Sequence, residues 1–325
     1  MSSTKSTIVR TIPRVFERLE RTSPTLGGHL ANRLWFRLPK PPSAASRHGR
    51  TPSGGEPFEV TWQHGVVRGR VYGDWGRPTA YLVHGWGGWW QQLGSFVQPL
   101  VDEGLCVVAF DAPSHGDSDP GLRGRRSTTF LEMAQALASV EREFGRATVV
   151  IAHSAGALTT MTAMSDFAVG GAVTRPMPSP EALAFIAVPA TVRGMVATFS
   201  TALGVGPRSA AVMRSLAEGQ IGHAMDEFDL LALASRHPRL PRLLLEHDKD
   251  DPEAPLTDAL EVKNTWHDSR LTLTQGLGHR RPLWDPTVVK RVTEFAATAA
   301  DSVRAEVRAE VRAEVRAEAI ASAGR

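Results

Sequence analysis

The residues that could do covalent chemistry centre on one serine. Ser154 lies in the pentapeptide Ala-His-Ser-Ala-Gly at 152–156, directly after a predicted buried strand at 148–152 and before a helix that begins near Ala155. A serine on such a tight strand-to-helix turn has its hydroxyl pushed out of the backbone, and small neighbours are needed where strand and helix pass closely. Ser154 is therefore a candidate nucleophile. Serine is also a favoured helix N-cap, so this motif alone leaves a structural role open.

A second motif is a glycine-rich turn at the end of the strand predicted at 80–84. Its sequence, at 84–88, is His-Gly-Trp-Gly-Gly. Glycine lets the backbone turn so that N–H groups point at a developing oxyanion, which is usually a large electrostatic contribution to acyl transfer. The backbone N–H groups of Trp86 and Ala155 are the predicted pair. Phosphate binding is disfavoured, because the spacing is that of neither a P-loop nor a dinucleotide motif.

A hydroxyl needs a base to attack at neutral pH, and the candidate base is His279. It ends the sequence Gln-Gly-Leu-Gly-His at 275–279, a glycine-flanked loop after the last predicted strand. The imidazole in turn needs a carboxylate that fixes its tautomer and stabilises the imidazolium. The predicted strand at 242–246 leads into three candidates that the residues alone leave open: Asp248, Asp250 and Asp251.

The tryptophans at the glycine-rich turn predict an aromatic-lined pocket, formed by Trp86, Trp89 and Trp90. Packing in the core is the alternative, because tryptophan serves both roles. The histidines form no spaced metal-binding set, and Cys106 is the single cysteine. No metal, disulfide or cofactor is therefore predicted.

The elements that must position these residues alternate between short apolar runs and helical segments. An antiparallel strand pair is predicted at 58–62 and 66–72, and helices at 91–103 and 127–144. Further strands are predicted at 80–84, 105–110, 148–152, 182–188, 242–246 and 271–274. This alternation predicts an α/β fold with a mostly parallel sheet flanked by helices.

The segment before this domain, residues 1–57, is predicted to be a basic helical arm and a linker. Residues 1–50 hold ten Lys and Arg against two Glu, whereas the whole chain has a formal net charge of only +3. A short amphipathic helix is predicted to begin at Pro13, and the Pro/Ser/Gly-rich run at 39–57 is predicted to be a linker or surface loop. Solvent-facing arginines explain the charge better than a nucleic-acid or lipid partner, so no nucleic-acid binding is expected.

Two further segments accompany the main domain, predicted at 58–300. Residues 191–237, between two predicted strands, are too long to be structureless and predict a small helical cap, with ordinary surface helices as the alternative. Residues 301–325 carry four copies of Val-Arg-Ala-Glu. On a helix this repeat offers no opposite-charge pair three or four residues apart, so it predicts a low-complexity tail or loosely held helix rather than an oligomerisation device.

Composition sets the broad class of protein. The chain has 325 residues, 42% hydrophobic and 22% charged, enough to bury one large core and a modest cap. No stretch approaches the roughly 18 consecutive apolar residues that a transmembrane segment needs. The first ten residues lack the apolar centre of a secretory signal, so a cytoplasmic protein is expected. The sequence does not determine the oligomeric state.

From about residue 58 to 295 the chain resembles the α/β hydrolases of the serine esterase and lipase-like branch, with serine, aspartate and histidine in the family's order. The turn at 84–88 resembles the family's oxyanion turn, the stretch at 111–118 (Asp-Ala-Pro-Ser-His-Gly-Asp-Ser) resembles the one after its fourth strand, and 278–281 resembles its histidine loop. The segment at 247–255 resembles its acid loop. The resemblance implies Asp251 as the acid, with Asp248 as runner-up.

Two departures from the family pattern bear on function. Ala152 stands where the family usually has glycine, a change that affects packing more than chemistry. The candidate nucleophile, Ser154, is serine rather than aspartate, which argues against the haloalkane dehalogenase and epoxide hydrolase branches.

These motifs together predict a serine hydrolase that acts on a carboxylic ester or related acyl compound through a Ser-His-Asp triad and an acyl-enzyme. The expected partner is a small-molecule acyl substrate, and a small hydrophobic ester is the simplest choice. A thioesterase or acyltransferase is the alternative among enzymes. A binding protein that retains the fold without turnover is the alternative outside them.

Overall fold

The computed structural model describes residues 3–169, 172–173 and 175–323. The strands in this part of the chain are β1 (Glu56–Trp62), β2 (Gly65–Tyr72), β3 (Thr79–Val83), β4 (Cys106–Phe110), β5 (Ala147–His153), β6 (Ala168–Val169), β7 (Ala172–Val173), β8 (Ala182–Ile186), β9 (Arg242–Asp248) and β10 (Ser269–Thr274). The α-helices are α1 (Ser3–Thr22), α2 (Pro24–Trp35), α3 (Ala44–His48), α4 (Val97–Asp102), α5 (Phe130–Phe144), α6 (Ala155–Met164), α7 (Val192–Leu203), α8 (Pro207–Ile221), α9 (Leu230–Ala234), α10 (Leu256–Thr265) and α11 (Pro286–Ala323). Short 3₁₀ helices span Trp90–Phe96, Met225–Phe228 and Arg281–Leu283.

Eight of these strands form one sheet, in the order β1-β2-β4-β3-β5-β8-β9-β10. Strand β2 is antiparallel to β1 and β4, and the remaining neighbours are parallel. Every residue of β3, β4, β5 and β8 is buried, as expected for parallel strands covered on both faces. The predicted α/β fold with a mostly parallel sheet is confirmed.

Helices cover both faces of this sheet. On one face α5 and α6 contribute to a core that includes Leu137, Met161 and Phe185. On the other face α4 and α11 contribute to a second core, with Leu100 and Val292. Because parallel strands end at the same edge, the loops that follow β3, β5, β9 and β10 meet there. These are the loops that carry the sequence-predicted functional residues.

The observed elements differ from the predicted ones mainly at their ends. The predicted helix at 91–103 starts as the 3₁₀ helix Trp90–Phe96 and continues as α4. Helix α5 begins only at Phe130, because the Thr129 hydroxyl oxygen accepts the Glu132 N–H at 3.1 Å and caps the helix. Strand β8 ends at Ile186, because Ala187 adopts a positive φ of 55° that no strand contains.

Helix α1 begins ten residues earlier than the sequence indicated, at Ser3. Pro13 lies inside α1 rather than at its start, so that prediction was wrong. An interior proline removes one backbone hydrogen bond. Packing further along the same helix opposes this loss, because Phe16 is fully buried against Val205 and Met213 of the segment between β8 and β9.

The predicted linker at 39–57 is ordered against the main domain. It contains α3, and Arg47 of that helix is buried. The Arg47 guanidinium donates to the Pro42 carbonyl at 2.9 Å and to the Asp117 carboxylate at 2.7 Å. The segment is thus tied to the loop after β4, and the domain limits at 57 and 300 stay predictions.

The segment between β8 and β9 consists of α7, α8, the 3₁₀ helix Met225–Phe228 and α9, hereafter the cap. The C-terminal repeats continue α11 as far as Ala323, and the side chains of 305–314 are exposed. Among the described residues, no helix combines the length and the apolar character needed to cross a membrane.

Candidate active site

Ser154 lies at the sharp turn between β5 and α6. Its φ and ψ are +52° and −126°, a conformation that is costly for a residue other than glycine and that clusters at functional sites. The turn is held by the Ser154 N–H, which donates to the Ile186 carbonyl at 2.9 Å. Its side chain makes no capping hydrogen bond to α6. The geometry therefore does not support the alternative in which Ser154 serves only as a helix N-cap.

The turn requires small residues because α6 passes close to the end of β3. A Cβ atom added to Gly156 would lie 2.6 Å from the Val83 carbonyl oxygen and 2.9 Å from that of His84, which the packing does not allow. Ala152, where the family usually has glycine, is fully buried in β5 and pairs with Val83 and Phe185. The extra methyl group is therefore accommodated in the sheet.

Three of the predicted site residues form a continuous hydrogen-bonded series. His279 Nε2 lies 3.0 Å from Ser154 Oγ, and His279 Nδ1 lies 2.8 Å from Asp251 Oδ2. The side chains of His279 and Asp251 are 7% and 0% exposed. The second Asp251 oxygen accepts the backbone N–H groups of Glu253 and Ala254, at 2.8 and 2.9 Å. Asp251 thus orients the imidazole and is itself held by its own loop.

The protonation state of Asp251 follows from these contacts. Burial alone would raise the pKa of this carboxyl group, but the hydrogen bond and charge of His279 and the two backbone N–H groups lower it overall. Hydrogen bonds to the charged form stabilise the carboxylate. Asp251 is therefore ionised at neutral pH.

The other two aspartates of this loop hold the histidine loop in place. Asp248 Oδ2 accepts the Thr274 hydroxyl at 2.7 Å and the Leu277 N–H at 3.0 Å, and Asp248 Oδ1 accepts the Asp250 N–H at 3.0 Å. Asp250 accepts the Gly276 N–H at 3.1 Å. Thr274, Gly276 and Leu277 lie in or beside the loop that ends at His279, so both carboxylates stabilise its conformation without reaching the imidazole.

A second histidine fixes the backbone of His279. His153, directly before Ser154, lies 2.9 Å from the His279 carbonyl oxygen through its Nε2, and a carbonyl only accepts, so the imidazole donates. Burial, together with the nearby charge of His279, lowers the pKa of His153 to about 3. The ring therefore stays neutral and links the nucleophile turn to the histidine loop.

The glycine-rich turn after β3 is held by two buried histidines. The Ala112 N–H donates to His84 Nε2 at 3.0 Å, and the Gly87 N–H donates to His115 Nε2 at 3.0 Å. Because Nε2 accepts in both rings, Nδ1 carries the proton, and it donates to the Gly85 and Pro113 carbonyls. Burial lowers the pKa of His84 to about 4 and shifts that of His115 in the same direction.

A buried carboxylate fixes the other side of the same turn. Asp111 accepts the Trp90 N–H at 2.9 Å and the Asp117 N–H at 3.0 Å. Burial raises its pKa to about 6, against the effect of these hydrogen bonds. The resemblance singled out the stretch that contains Asp111, but no sequence signal indicated that its carboxylate joins this stretch to the glycine-rich turn.

Among the described residues, two backbone N–H groups near Ser154 have no protein acceptor. In the described part of the chain, neither the Trp86 N–H nor the Ala155 N–H makes a hydrogen bond to another protein group. Both residues line the cavity that contains Ser154. The turn approaches Ser154 closely, since a Cβ atom added to Gly85 would lie 3.1 Å from the Ser154 Cβ. The glycine-rich turn therefore lies directly beside the Ser154 side chain.

A cavity of about 660 Å³ adjoins Ser154 and His279, within the size range of ligand pockets. Trp86 and Trp89 line it, as predicted. The prediction for Trp90 was wrong: its side chain is 4% exposed and packs in the core, with its ring 6.3 Å from that of Tyr72. Trp90 is the first residue of a 3₁₀ helix whose apolar side chains cover the sheet.

Part of the cavity wall comes from a segment that the sequence did not connect with the site. Leu34, Trp35 and Phe36, at the end of α2, line the cavity together with residues of the cap such as Phe199 and Phe228. The signal available in the sequence was an apolar set at helical spacing in an otherwise basic segment. It indicated a buried helix face but not what the face covers.

Among the residues that the structure describes, no group of three or more His, Cys, Asp and Glu side chains is arranged to hold a metal ion.

Comparison with known proteins identifies the family. The model of the alpha/beta hydrolase family matches residues 80–292, more than half of the chain, and the chain belongs to this family. An esterase of Pyrococcus furiosus has a similar structure, with a TM-score of 0.53, 16% identity and coverage of 80% of this chain and 94% of that chain. The thioesterase domain from the curacin biosynthetic pathway has a TM-score of 0.53 and 14% identity, over 75% of this chain and 99% of that one. These likenesses concern the fold.

One curated relative matches a shorter part of the chain. It is the dihydrolipoyllysine-residue acetyltransferase component of the acetoin cleaving system of Cupriavidus necator, 39% identical over 82 residues. The match covers 25% of this chain, and the chain spans only 21% of that protein.

Proposed function

We propose that the protein is a serine hydrolase that cleaves a carboxylic ester with an apolar acyl group. The observation that carries the proposal is the series Ser154 Oγ, His279 and Asp251, joined at 3.0 and 2.8 Å beside a largely apolar cavity. Membership of the alpha/beta hydrolase family supports a hydrolytic reaction but does not determine the nucleophile or the substrate class.

The first half of the reaction is acylation. Ser154 Oγ attacks the carbonyl carbon of the ester while His279 Nε2 takes its proton, and the oxyanion that forms accepts the N–H groups of Trp86 and Ala155. Asp251 stabilises the imidazolium through Nδ1 without taking the proton itself. When the carbon–oxygen bond to the alcohol breaks, His279 returns the proton to the leaving oxygen. The acyl group remains on Ser154.

The second half of the reaction is hydrolysis of the acyl-enzyme. A water molecule at the position vacated by the alcohol loses a proton to His279 and attacks the ester carbonyl on Ser154. The same N–H pair holds the second oxyanion. Collapse of this intermediate returns the proton to Ser154 and releases the carboxylic acid, so the site needs no redox partner.

The neutral histidines act as positioning residues in this scheme. His84 and His115 accept backbone N–H groups through Nε2 and so hold the glycine-rich turn that carries Trp86 in one conformation. An N–H group that is already fixed stabilises developing charge without the reorganisation that water requires. His153 likewise fixes the backbone of His279.

The first test is labelling with a fluorophosphonate, followed by intact-mass measurement. We expect one adduct on the wild type, no adduct on Ser154→Ala and much slower labelling of His279→Ala. Ser235→Ala and His267→Ala serve as matched controls, because both residues are exposed and lie away from the cavity. No adduct on folded wild type contradicts the proposal and favours a binding protein that retains the fold.

Steady-state assays then define the leaving group. The proposal expects turnover of p-nitrophenyl esters that is lost in Ser154→Ala and retained in Ser235→Ala. Coenzyme A thioesters are assayed in parallel. A strong preference for thioesters, with accumulation of acyl-enzyme, would replace the ester assignment by that of a thioesterase or acyltransferase.

A further inference from the structure

The N-terminal helices pack on the cap through a close contact between two helices. A Cβ atom added to Gly28 of α2 would lie 2.4 Å from the Val212 Cβ of α8, so the helices approach more closely than any larger residue permits. Ala31 of α2 and Met213 of α8 are fully buried in the same cluster. Contact of this kind between residues about 180 positions apart makes α2 and α8 one packed unit.

Polar contacts fix the N-terminal helices at both ends of α8. The Glu20 carboxylate accepts the N–H groups of Arg208 and Ser209 at 2.9 and 3.0 Å, and also the Ser209 hydroxyl at 2.6 Å. These N–H groups belong to the first turn of α8, so Glu20 caps a helix whose own N-cap is a glycine. Near the other end, the Asn32 amide donates to the Gln220 side-chain oxygen at 3.2 Å.

The same contacts bring the end of α2 to the cavity beside Ser154. Trp35 and Phe199 both line this cavity, and their rings meet edge to face at a centroid distance of 5.3 Å and an angle of 86°. Trp35 also packs against both the main core and the cluster between the N-terminal helices and the cap. The two rings therefore form a continuous wall between α2 and α7.

The distribution of charge along the cavity indicates what this wall contacts. The charged Lys, Arg and Glu residues that line it are all exposed: Arg37, Lys40, Glu253 and Arg280. One of them, Glu253, has its carboxylate 3.8 Å from His279 Nε2 at the reacting end. Trp35 and Phe199, together with the buried Met225 and Phe228, form an interior without charge. Such a cavity suits a molecule whose apolar part lies inside and whose polar part lies near solvent.

We propose that Trp35 and Phe199 determine the acyl specificity of the site, so that the N-terminal helices are part of the substrate-binding apparatus. The two rings contact the apolar acyl chain and limit the length that the cavity accepts. The inference rests on the proposed function for the ester reaction, whereas the binding of an apolar chain by the two rings does not depend on that reaction. A rigid aromatic wall discriminates by shape, and one methylene group of misfit in an apolar pocket changes kcat/KM by roughly 10–200-fold.

The test compares acyl-chain profiles of variants. We expect Trp35→Ala and Phe199→Ala to shift the optimum of kcat/KM for p-nitrophenyl esters of 2 to 16 carbons towards longer chains, with the ratio of long to short substrates changing by on the order of tenfold. Trp75→Ala is the matched control, because Trp75 is 59% exposed and lies outside the cavity. Trp35→Phe and Phe199→Leu are measured alongside, since they retain much of the packing if the alanine variants fail to fold.

A binding assay separates this inference from the proposed function. Affinity for the fluorescent 18-carbon cis-parinaric acid is measured in Ser154→Ala protein, with and without the Trp35 and Phe199 substitutions. We expect the affinity to change by about tenfold with each substitution at Trp35 or Phe199 and to be unaffected by Trp75→Ala. If the wild type shows no ester turnover, an affinity that changes with these substitutions would retain the inference while the proposed hydrolase is overturned. An unchanged chain-length ratio and affinity in folded variants would overturn the inference, even where ester hydrolysis is established.

Discussion

Replacement of Asp251 by asparagine tests the hydrogen-bonded series most directly. One carboxylate oxygen of Asp251 accepts the Glu253 and Ala254 N–H groups, and the other faces His279 Nδ1. In Asp251→Asn the amide oxygen must keep the two backbone donors, because the NH₂ group cannot accept them. The NH₂ group then faces His279 and donates a hydrogen bond to Nδ1. The imidazole must therefore carry its own proton on Nε2.

The expected cost follows from this change of tautomer. A proton on Nε2 faces Ser154 Oγ, so the imidazole can no longer take the serine proton. The corresponding change in serine proteases lowers kcat by about 10⁴-fold, which is about 5.5 kcal/mol of activation free energy. Stability should change by only about 1 kcal/mol, because each backbone donor keeps an acceptor.

The comparison variant is Asp248→Asn, the alternative acid considered from the sequence. Both Asp248 oxygens accept donors, from Thr274, Leu277 and the Asp250 N–H, so either amide orientation turns the NH₂ group towards a donor. We expect a loss of roughly 1–3 kcal/mol in the free energy of unfolding and a smaller loss of kcat. Urea titrations measure the free energy of unfolding of both variants, and ester kinetics measure their kcat. The reasoning fails if folded Asp248→Asn loses more kcat than Asp251→Asn, or if Asp251→Asn retains activity within tenfold.

Two further predictions concern stability. Arg291→Ala should lower the free energy of unfolding by about 3–5 kcal/mol, because it leaves the buried Glu246, now bonded at 2.6 and 2.9 Å, without its partner. The urea midpoint measures this loss of stability. Lys290→Ala is the control, because Lys290 is exposed, and equal midpoints for the two variants would contradict the prediction. The free energy of unfolding should also fall by several kcal/mol between pH 7 and pH 5. Below a pH of about 6.5 the unfolded chain protonates His84 and His153, whereas the fold keeps them neutral with pKa values of about 4 and about 3. Asp111, with a pKa raised to about 6, acts in the opposite direction and offsets only part of the loss. A free energy that is flat over this range in urea titrations would refute the argument.

Much of the fold and the proximity of the site residues followed from local sequence patterns. Short apolar runs bounded by glycine-rich turns predict buried parallel strands, and such strands deliver their following loops to one edge of the sheet. The distances between Ser154, His279 and Asp251 follow from that topology and from a few loop hydrogen bonds. Their catalytic roles stay predictions until the labelling experiment is done. The choice of Asp251 over its neighbours needed the family resemblance, because only the three-dimensional loop shows which carboxylate reaches the imidazole.

The sequence-based prediction was wrong for a residue whose role depends on the orientation of its own side chain. Trp89 and Trp90 are adjacent and equally apolar, yet Trp89 lines the cavity and Trp90 packs in the core. Trp89 has an extended backbone, with φ −157° and ψ 155°, whereas Trp90 is the first residue of the 3₁₀ helix, and the helix predicted from residue 91 did not separate the two.

The role of the N-terminal helices depends on contacts that no local pattern contains. Amphipathic spacing in α1 and α2 shows that one face is buried, but a helix face is equally apolar whether it covers a sheet, a cap or a second copy of the chain. The identity of its partner is recorded in paired features far apart in sequence: Gly28 opposite Val212, and Glu20 at the first turn of α8. Neither member of such a pair indicates a contact by itself, because the contact is recognised only when both members are known. The meeting of Ser154, His279 and Asp251 at the strand ends was therefore predictable from one sequence, whereas the contact between α2 and the cap, on which the proposed acyl specificity depends, was not.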